Sequence, residues 1–135
     1  MSGFDDNPFL SSLGARIESW TEDGVVISLA LRDEHLNRQG VIQGGMVCAL
    51  LDTACGYAGL SPTQEEGRSH GVTVSLAINF IASVRGGTVT ATGKVTGRGR
   101  KIYFSQAEIR SAEGAVLATA QGSFKYGAPR IPVVS

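Results

Sequence analysis

The chain lacks any excess of charge, because its 12 Lys and Arg residues balance its 12 Asp and Glu residues. A balanced chain has no overall field that would draw it to nucleic acid or to an anionic membrane. It also lacks a long apolar run: the longest, Met46 to Leu51, is far shorter than the roughly 20 residues that span a bilayer. Asp5 and Asp6 stand where a secretory signal would carry positive charge. We therefore expect a cytoplasmic protein that binds neither nucleic acid nor membrane.

Cysteine is scarce as well, with only Cys48 and Cys55 in the chain. On one predicted helix they would lie about 10 Å apart along the axis, which is too far for a disulfide. They form no CxxC pair, and His35 and His70 stand in no metal-ligand spacing. The sequence predicts neither a disulfide nor a metal or other cofactor, and we expect both thiols to be core side chains.

The length predicts one domain, 1–135, with a mobile tail at about 127–135. Asn7-Pro8 and Gly14 bound a short predicted helix. Between about 43 and 60, apolar residues cover nearly the whole circumference of a second helix, which should therefore be buried. A period of two in Val, Ile, Thr and aromatic residues predicts six strands, at 15–20, 25–31, 72–81, 88–96, 101–110 and 115–124.

These elements predict an α+β fold in which one antiparallel sheet wraps one long helix. Gly86-Gly87, Gly97-Arg98-Gly99 and Glu113-Gly114 are typical of turns, so the last four strands are predicted to form a meander. One face of the sheet covers the helix, and the other must meet solvent or a further subunit. The strands after Gly71 carry apolar residues in both alternating sets, which favours a homo-oligomer.

Asp52 is the most informative residue, because it lies in the middle of the helix that should be buried. Its neighbours three and four residues away are Cys48, Ala49, Cys55 and Gly56, none of which can pair with a carboxylate. A buried charge without a partner is costly. Asp52 is therefore either a structural carboxylate bonded to another strand or subunit, or a functional group that borders a cavity.

The amino end of the same helix is a second candidate feature. Its free backbone amides and the helix dipole suit an anion or a developing oxyanion, and Gly44 and Gly45 let a ligand approach the backbone closely. A Gly-Gly pair is also an ordinary way to turn a corner into a helix. Eight residues, or about 12 Å of helix, separate Gly44 from Asp52. If both act on one carbonyl, they must come from two subunits related by a two-fold axis.

Other polar residues give weaker signals. Ser69-His70 lacks the GxSxG context of a hydrolase nucleophile, so a serine triad is not expected. Arg98, Arg100 and Lys101 cluster at a predicted hairpin tip. They form either a solvated turn or a contact to the phosphates of a nucleotide-bearing substrate.

The stretch from His35 to Gly45, followed by Leu50-Leu51-Asp52, resembles the signature of hotdog-fold thioesterases of the phenylacetyl-CoA and 4-hydroxybenzoyl-CoA type. Those proteins show an Asn, a Gly, a His-Gly-Gly turn and then Leu-x-Asp or Glu at this spacing. The resemblance extends from about Asn37 to Phe124. It implies hydrolysis of an aryl- or medium-chain acyl-CoA thioester to the free acid and CoA, with a dimer as the smallest active unit and a tetramer expected.

The resemblance also implies residue roles. Asn37 would hold the thioester or the attacking water, and the Gly44 amide would polarise the carbonyl. Asp52 would act as general base or as nucleophile, and Thr73 would help to place the water. Gln43 stands where the family usually has histidine, and a glutamine cannot titrate near neutral pH.

Two alternatives stay open. The chain could be a hotdog protein that binds acyl-CoA or another small ligand without hydrolysing it, which a structural ion pair at Asp52 would favour. A hotdog hydratase or dehydratase ranks last, because those families resemble an Asp followed five residues later by His, and here that position is Tyr57.

Overall fold

The computed structural model describes residue 4, residues 7–63 and 68–127, and residue 134. Its α-helices and strands, in chain order, are α1 (Pro8–Leu13), β1 (Arg16–Thr21), β2 (Gly24–Ala30), α2 (Gly44–Ala58), β3 (Gly71–Phe80), β4 (Thr88–Arg98), β5 (Ile102–Arg110) and β6 (Val116–Tyr126), with a short 3-10 helix, Asp33–His35, before α2. The predicted α+β class and all eight elements are confirmed to within about two residues at most ends. The predicted tail lies largely outside the described residues.

Helix α1 begins and ends for the reasons that its sequence indicates. The Asn7 side chain accepts a hydrogen bond from the Leu10 amide, and Gly14 ends the helix in the left-handed conformation at φ 81°. Leu10 is buried and joins Phe4 in the core.

The sheet has six antiparallel strands in the order β1-β2-β4-β5-β6-β3. The prediction of a four-strand meander is therefore wrong for β3, which pairs with β6 and not with β4. Residues 81–87 carry the chain across β6 and β5, and seven extended residues reach about 23 Å, more than the roughly 14 Å between strands three places apart. As a result, β1 and β3 are the two edges of the sheet.

The hairpin between β4 and β5 also differs from its prediction. Gly97 and Arg98 belong to β4, and the turn is confined to residues 99–101. A register shift between Val95 and Gly97 lengthens the strand, as a β-bulge does.

Helix α2 packs across one face of the sheet, and the core lies between the two. Gly93 in β4 marks the closest approach, because a Cβ atom there would lie 2.2 Å from the Ala54 carbonyl oxygen. The prediction of a wholly buried helix is wrong for one side: Cys48, Ala49 and Asp52 are half-buried. A single sheet wraps only part of a helix, so a strip of α2 faces outward. Among the described residues, no helix is long and apolar enough to cross a membrane.

Candidate active site

Asp52 lies on the strip of α2 that the sheet leaves uncovered. The Thr73 hydroxyl, from edge strand β3, donates a hydrogen bond to Asp52 Oδ1 over 2.7 Å. Within the described parts of the chain, Asp52 forms no ion pair. A carboxylate with one oxygen held by a hydroxyl and no cation beside it keeps the other oxygen for a water or a substrate atom.

The charge of Asp52 also acts on its neighbour one turn away. Burial, and then the nearby Asp52 carboxylate, raise the pKa of Cys55 to about 12. Cys55 therefore stays a thiol at neutral pH, and a thiol is a poor nucleophile. Cys55 is fully buried as expected, whereas Cys48 is only half-buried, so the prediction that both are core thiols is wrong for Cys48.

The amino end of α2 presents free backbone donors. Gln43 is the cap residue, but its side chain makes no capping hydrogen bond. Its carbonyl accepts the amides of Met46 and Val47, while the amides of Gly44 and Gly45 find no acceptor within the described ranges. A Cβ atom on Gly44 would lie 3.7 Å from the Phe80 ring, so the ring lies beside this first turn.

Asn37 precedes the helix in a tight loop that its own side chain organises. Its Oδ1 accepts the amides of Gln39 (2.9 Å) and Val41 (3.3 Å), and its backbone amide donates to the Val41 carbonyl over 2.7 Å. Because backbone amides can only donate, the atom that faces them must be the oxygen. The Asn37 amide group is thereby oriented, and its Nδ2 donors have no partner among the residues that the structure describes.

An open cleft of about 680 Å³ lies at this loop. Asn37 and Gln43 line it, together with Glu34, Leu36, Arg38 and Gln39. The structure thus brings two predicted residues, Asn37 and Gln43, to one cleft beside the amino end of α2.

The second predicted pair, Asp52 and Thr73, lies elsewhere. Gly44 and Asp52 are on one continuous helix, about 12 Å apart along its axis. The same division appears on β3, since Thr73 lies near its start and Phe80 ends it, about 23 Å away along an extended strand. One chain therefore carries two groups of candidate residues, called half-sites below, one at each end of its edge strand.

The three basic residues predicted to meet phosphates differ in their surroundings. Arg98 donates to the Gly59 carbonyl at the carboxyl end of α2 over 3.0 Å, and also to the Tyr126 hydroxyl. Arg98 thus satisfies a carbonyl at the carboxyl end of α2, which is a structural role. Arg100 and Lys101 are exposed and form no ion pair with any described residue.

Both histidines have local partners. Buried His35 accepts the Arg32 amide at Nδ1 (2.9 Å), which leaves Nε2 to donate to the Leu13 carbonyl (2.9 Å). It ties α1 to the segment before the cleft. The imidazole of exposed His70 contacts the adjacent Ser69 hydroxyl at 3.0 Å.

Sequence reasoning missed two residues near the cleft. The sequence predicts Phe80 only as part of a strand, although a large apolar side chain near a strand end could have drawn attention to it. Arg85 donates to the carbonyls of Gln39 (3.0 Å) and Gly40 (3.5 Å). No local pattern signals that contact, because 45 and 46 residues separate the partners.

An antiparallel sheet wrapped on one helix, with a helical carboxylate and free amides at the helix start, is the arrangement of the hotdog class. A family model described as the thioesterase superfamily matches residues 39–118. The chain belongs to the thioesterase superfamily.

Individual relatives agree with this assignment. A candidate esterase of Haemophilus influenzae is 33% identical over 107 residues, which cover 79% of this chain and 76% of that protein. The medium/long-chain acyl-CoA thioesterase YigI of Escherichia coli is 24% identical over 135 residues, covering 89% and 86%. The solved structure of Escherichia coli PaaI, from the phenylacetic acid degradation operon, matches with a TM-score of 0.79 and 25% identity, covering 92% and 87%.

Proposed function

We propose that this protein hydrolyses acyl-CoA thioesters to the free acid and CoA. The observation that carries the proposal is the Asp52 carboxylate, which receives the Thr73 hydroxyl at 2.7 Å and lies on the uncovered side of α2. Membership of the thioesterase superfamily supports the reaction class. The name of the YigI relative supports medium or long acyl chains, and that of the PaaI structure supports an aryl acid.

The mechanism follows from the placement of donors and acceptors. The Gly44 amide and Asn37 Nδ2 would donate to the thioester oxygen and stabilise the negative charge that develops there. Asp52 would take a proton from a water that attacks the carbonyl carbon, with Thr73 fixing the carboxylate. The carbon–sulfur bond then breaks and CoA leaves as the thiol, protonated by Asp52. Direct attack by Asp52, followed by hydrolysis of an anhydride, uses the same groups.

The two half-sites require a homodimer. Edge strand β3 is ten residues long and contains neither proline nor a charged residue, and Val74 and Phe80 on it are 61% and 60% exposed. Such an edge is suited to pair with another strand. Antiparallel pairing of two β3 strands about a two-fold axis near their middle would bring the Asp52–Thr73 end of one copy to the Gly44–Phe80 end of the other. Association of two dimers into a tetramer remains a prediction.

The CoA phosphates are proposed to meet Arg100 and Lys101. Both lie beyond the carboxyl end of α2, while the acyl thioester would lie near Asp52, so the pantetheine arm would cover the distance between them. Arg98, the third predicted phosphate ligand, would contribute mainly by fixing this end of the molecule, because its guanidinium already serves the Gly59 carbonyl.

The alternative is a protein that binds acyl-CoA without hydrolysing it. An ion pair that locked Asp52 would favour it, and no described residue supplies one. Release of free thiol from short, long and aromatic acyl-CoAs tests both functions. We expect turnover of at least one class by the wild-type protein; binding of acyl-CoA without thiol release in any class would overturn hydrolysis and favour the alternative.

A further inference from the structure

The Asn37 loop, residues 37–42, contacts the connection between β3 and β4, residues 81–87. The Ile42 amide donates to the Val84 carbonyl over 2.9 Å. The next residue, Arg85, donates through Nη1 to the carbonyl of Gln39 at 3.0 Å and, more weakly, to that of Gly40 at 3.5 Å. Two successive residues of one connection therefore form hydrogen bonds to three residues of the loop.

Besides its internal hydrogen bonds, the loop packs closely against Arg85. Gly40 adopts a left-handed φ of 78°, and a Cβ atom there would lie 3.1 Å from Arg85 Nη1. The Gly40 amide donates to the Asn37 carbonyl over 2.9 Å, while the Gln39 and Gly40 carbonyls accept from Arg85. A guanidinium can satisfy two such acceptors from a fixed plane.

We propose that Arg85 is a positioning residue for the thioesterase reaction, acting through Asn37; this rests on the proposed function. By holding the Gln39 and Gly40 carbonyls, Arg85 keeps the Gln39 and Val41 amides directed at Asn37 Oδ1. Those two bonds orient the Asn37 amide and aim its Nδ2 donors at the substrate. Arg85 itself contacts the loop and not the reacting atoms.

The test compares three variants of the full chain with the wild type. Arg85→Met removes the donors but keeps an unbranched side chain, and Arg85→Lys restores one donor. Arg110→Met is the control, because Arg110 is also an exposed arginine that donates to a turn carbonyl, that of Gly114 at 2.8 Å, away from the cleft; it also pairs with Glu108.

We expect Arg85→Met to lower kcat about tenfold with little change in KM, since small displacements of a positioned group cost this much or more. Arg85→Lys should recover part of the loss, and Arg110→Met should match the wild type. In an Asn37→Ala background, Arg85→Met should cause no further loss of kcat, because two residues that act through one contact are not additive. Amide hydrogen exchange at Gln39 and Val41 should be faster in Arg85→Met, with β5 unchanged.

Any of three results would overturn the proposal. Arg85→Met could have the same kcat as the wild type, or it could lower kcat as much in the Asn37→Ala background as in the wild type. The third is an unchanged rate of amide hydrogen exchange at Gln39 and Val41 in Arg85→Met. Failure of the proposed function would look different. A wild-type protein that releases no thiol from any acyl-CoA would overturn the function and the catalytic role of Arg85 together, whereas an active wild type with an equally active Arg85→Met variant would overturn only the role of Arg85.

Discussion

The two ends of helix α2 have opposite hydrogen-bonding environments. At the carboxyl end, the Gly56 carbonyl accepts the Tyr103 hydroxyl at 2.6 Å, the Tyr57 carbonyl accepts the Trp20 indole at 3.0 Å, and Arg98 serves Gly59. At the amino end, Gln43 supplies no side-chain cap.

In the proposed mechanism, this difference assigns stability to the carboxyl end of α2 and substrate binding to the amino end. Hydrogen bonds to the carbonyls of Gly56, Tyr57 and Gly59 stabilise the carboxyl end. Free amides at the amino end cost stability, and the dipole there favours negative charge. A substrate oxygen would supply the missing acceptor.

The largest effect is expected at Asp52, between the two ends. Asp52→Asn keeps the size of the side chain and its bond to Thr73 but cannot take a proton, so kcat should fall by about 10²–10⁴-fold. Because Asp52 is half-buried, we expect Asp52→Asn to change the melting temperature only slightly. Asp33→Asn, an exposed carboxylate, is the control for thiol-release assays. Near-normal turnover by folded Asp52→Asn would remove Asp52 from the mechanism.

At the carboxyl end, the expected effect is on stability and not on catalysis. A Cβ atom on Gly59 would lie 2.1 Å from the buried Tyr103 ring, so Gly59→Ala should lower the free energy of unfolding by roughly 1–3 kcal/mol. Gly86→Ala is the control, because no described residue other than its two chain neighbours has an atom within 4 Å of its Cβ position. Denaturant unfolding measures both variants. Equal stability of the two would contradict the tight packing of this end.

Most of the fold could be predicted from sequence because its signals are local. Asn7 and Gly14 fix α1, and alternation fixes the strands to within a few residues. The position of β3 could not be predicted, since hairpin rules favour a partner next in sequence and carry no information about a crossover.

The candidate site residues also divide into those that a local sequence pattern reveals and those that it does not. Asp52, Gly44 and Asn37 stand in one short segment of sequence, so a pattern can reveal them. The Thr73–Asp52 bond spans 21 residues, and here the resemblance to a family, not local chemistry, indicated Thr73. The role of Arg85 could not be predicted from the sequence, because its acceptors are backbone carbonyls, which every residue provides.

A smaller effect is expected at Thr73. Thr73→Val removes the hydroxyl that holds Asp52 Oδ1 at nearly constant volume, and a hydrogen bond to a charged group contributes about 1.5–3 kcal/mol. If part of this free energy stabilises the transition state and is lost with the hydroxyl, kcat should fall by about tenfold. Thr96→Val, on the exposed face of β4, should leave the rate unchanged. Identical rates for both variants would mean that the Thr73 bond is only structural.

The smallest effect is expected at Cys55. Because burial and the Asp52 charge raise its pKa to about 12, the thiol is protonated at neutral pH, and the thiolate forms only as the pH approaches that value. Cys55→Ala should therefore keep thioesterase activity, and alkylation by iodoacetamide at neutral pH should reach Cys48 before Cys55. Rapid alkylation of Cys55 with loss of activity would contradict this account.

The shared site is tested most directly by mixing two variants that each have strongly reduced activity. Asp52→Asn retains an intact amino end, and Asn37→Ala retains an intact carboxylate, so a mixed dimer contains one complete site. Denaturing and refolding the two together in equal amounts should restore about a quarter of the wild-type thioesterase rate, since half of the dimers are then mixed and each has one of two sites intact. A rate no higher than that of the separate variants, with mixed dimers present, would contradict a site built from two subunits.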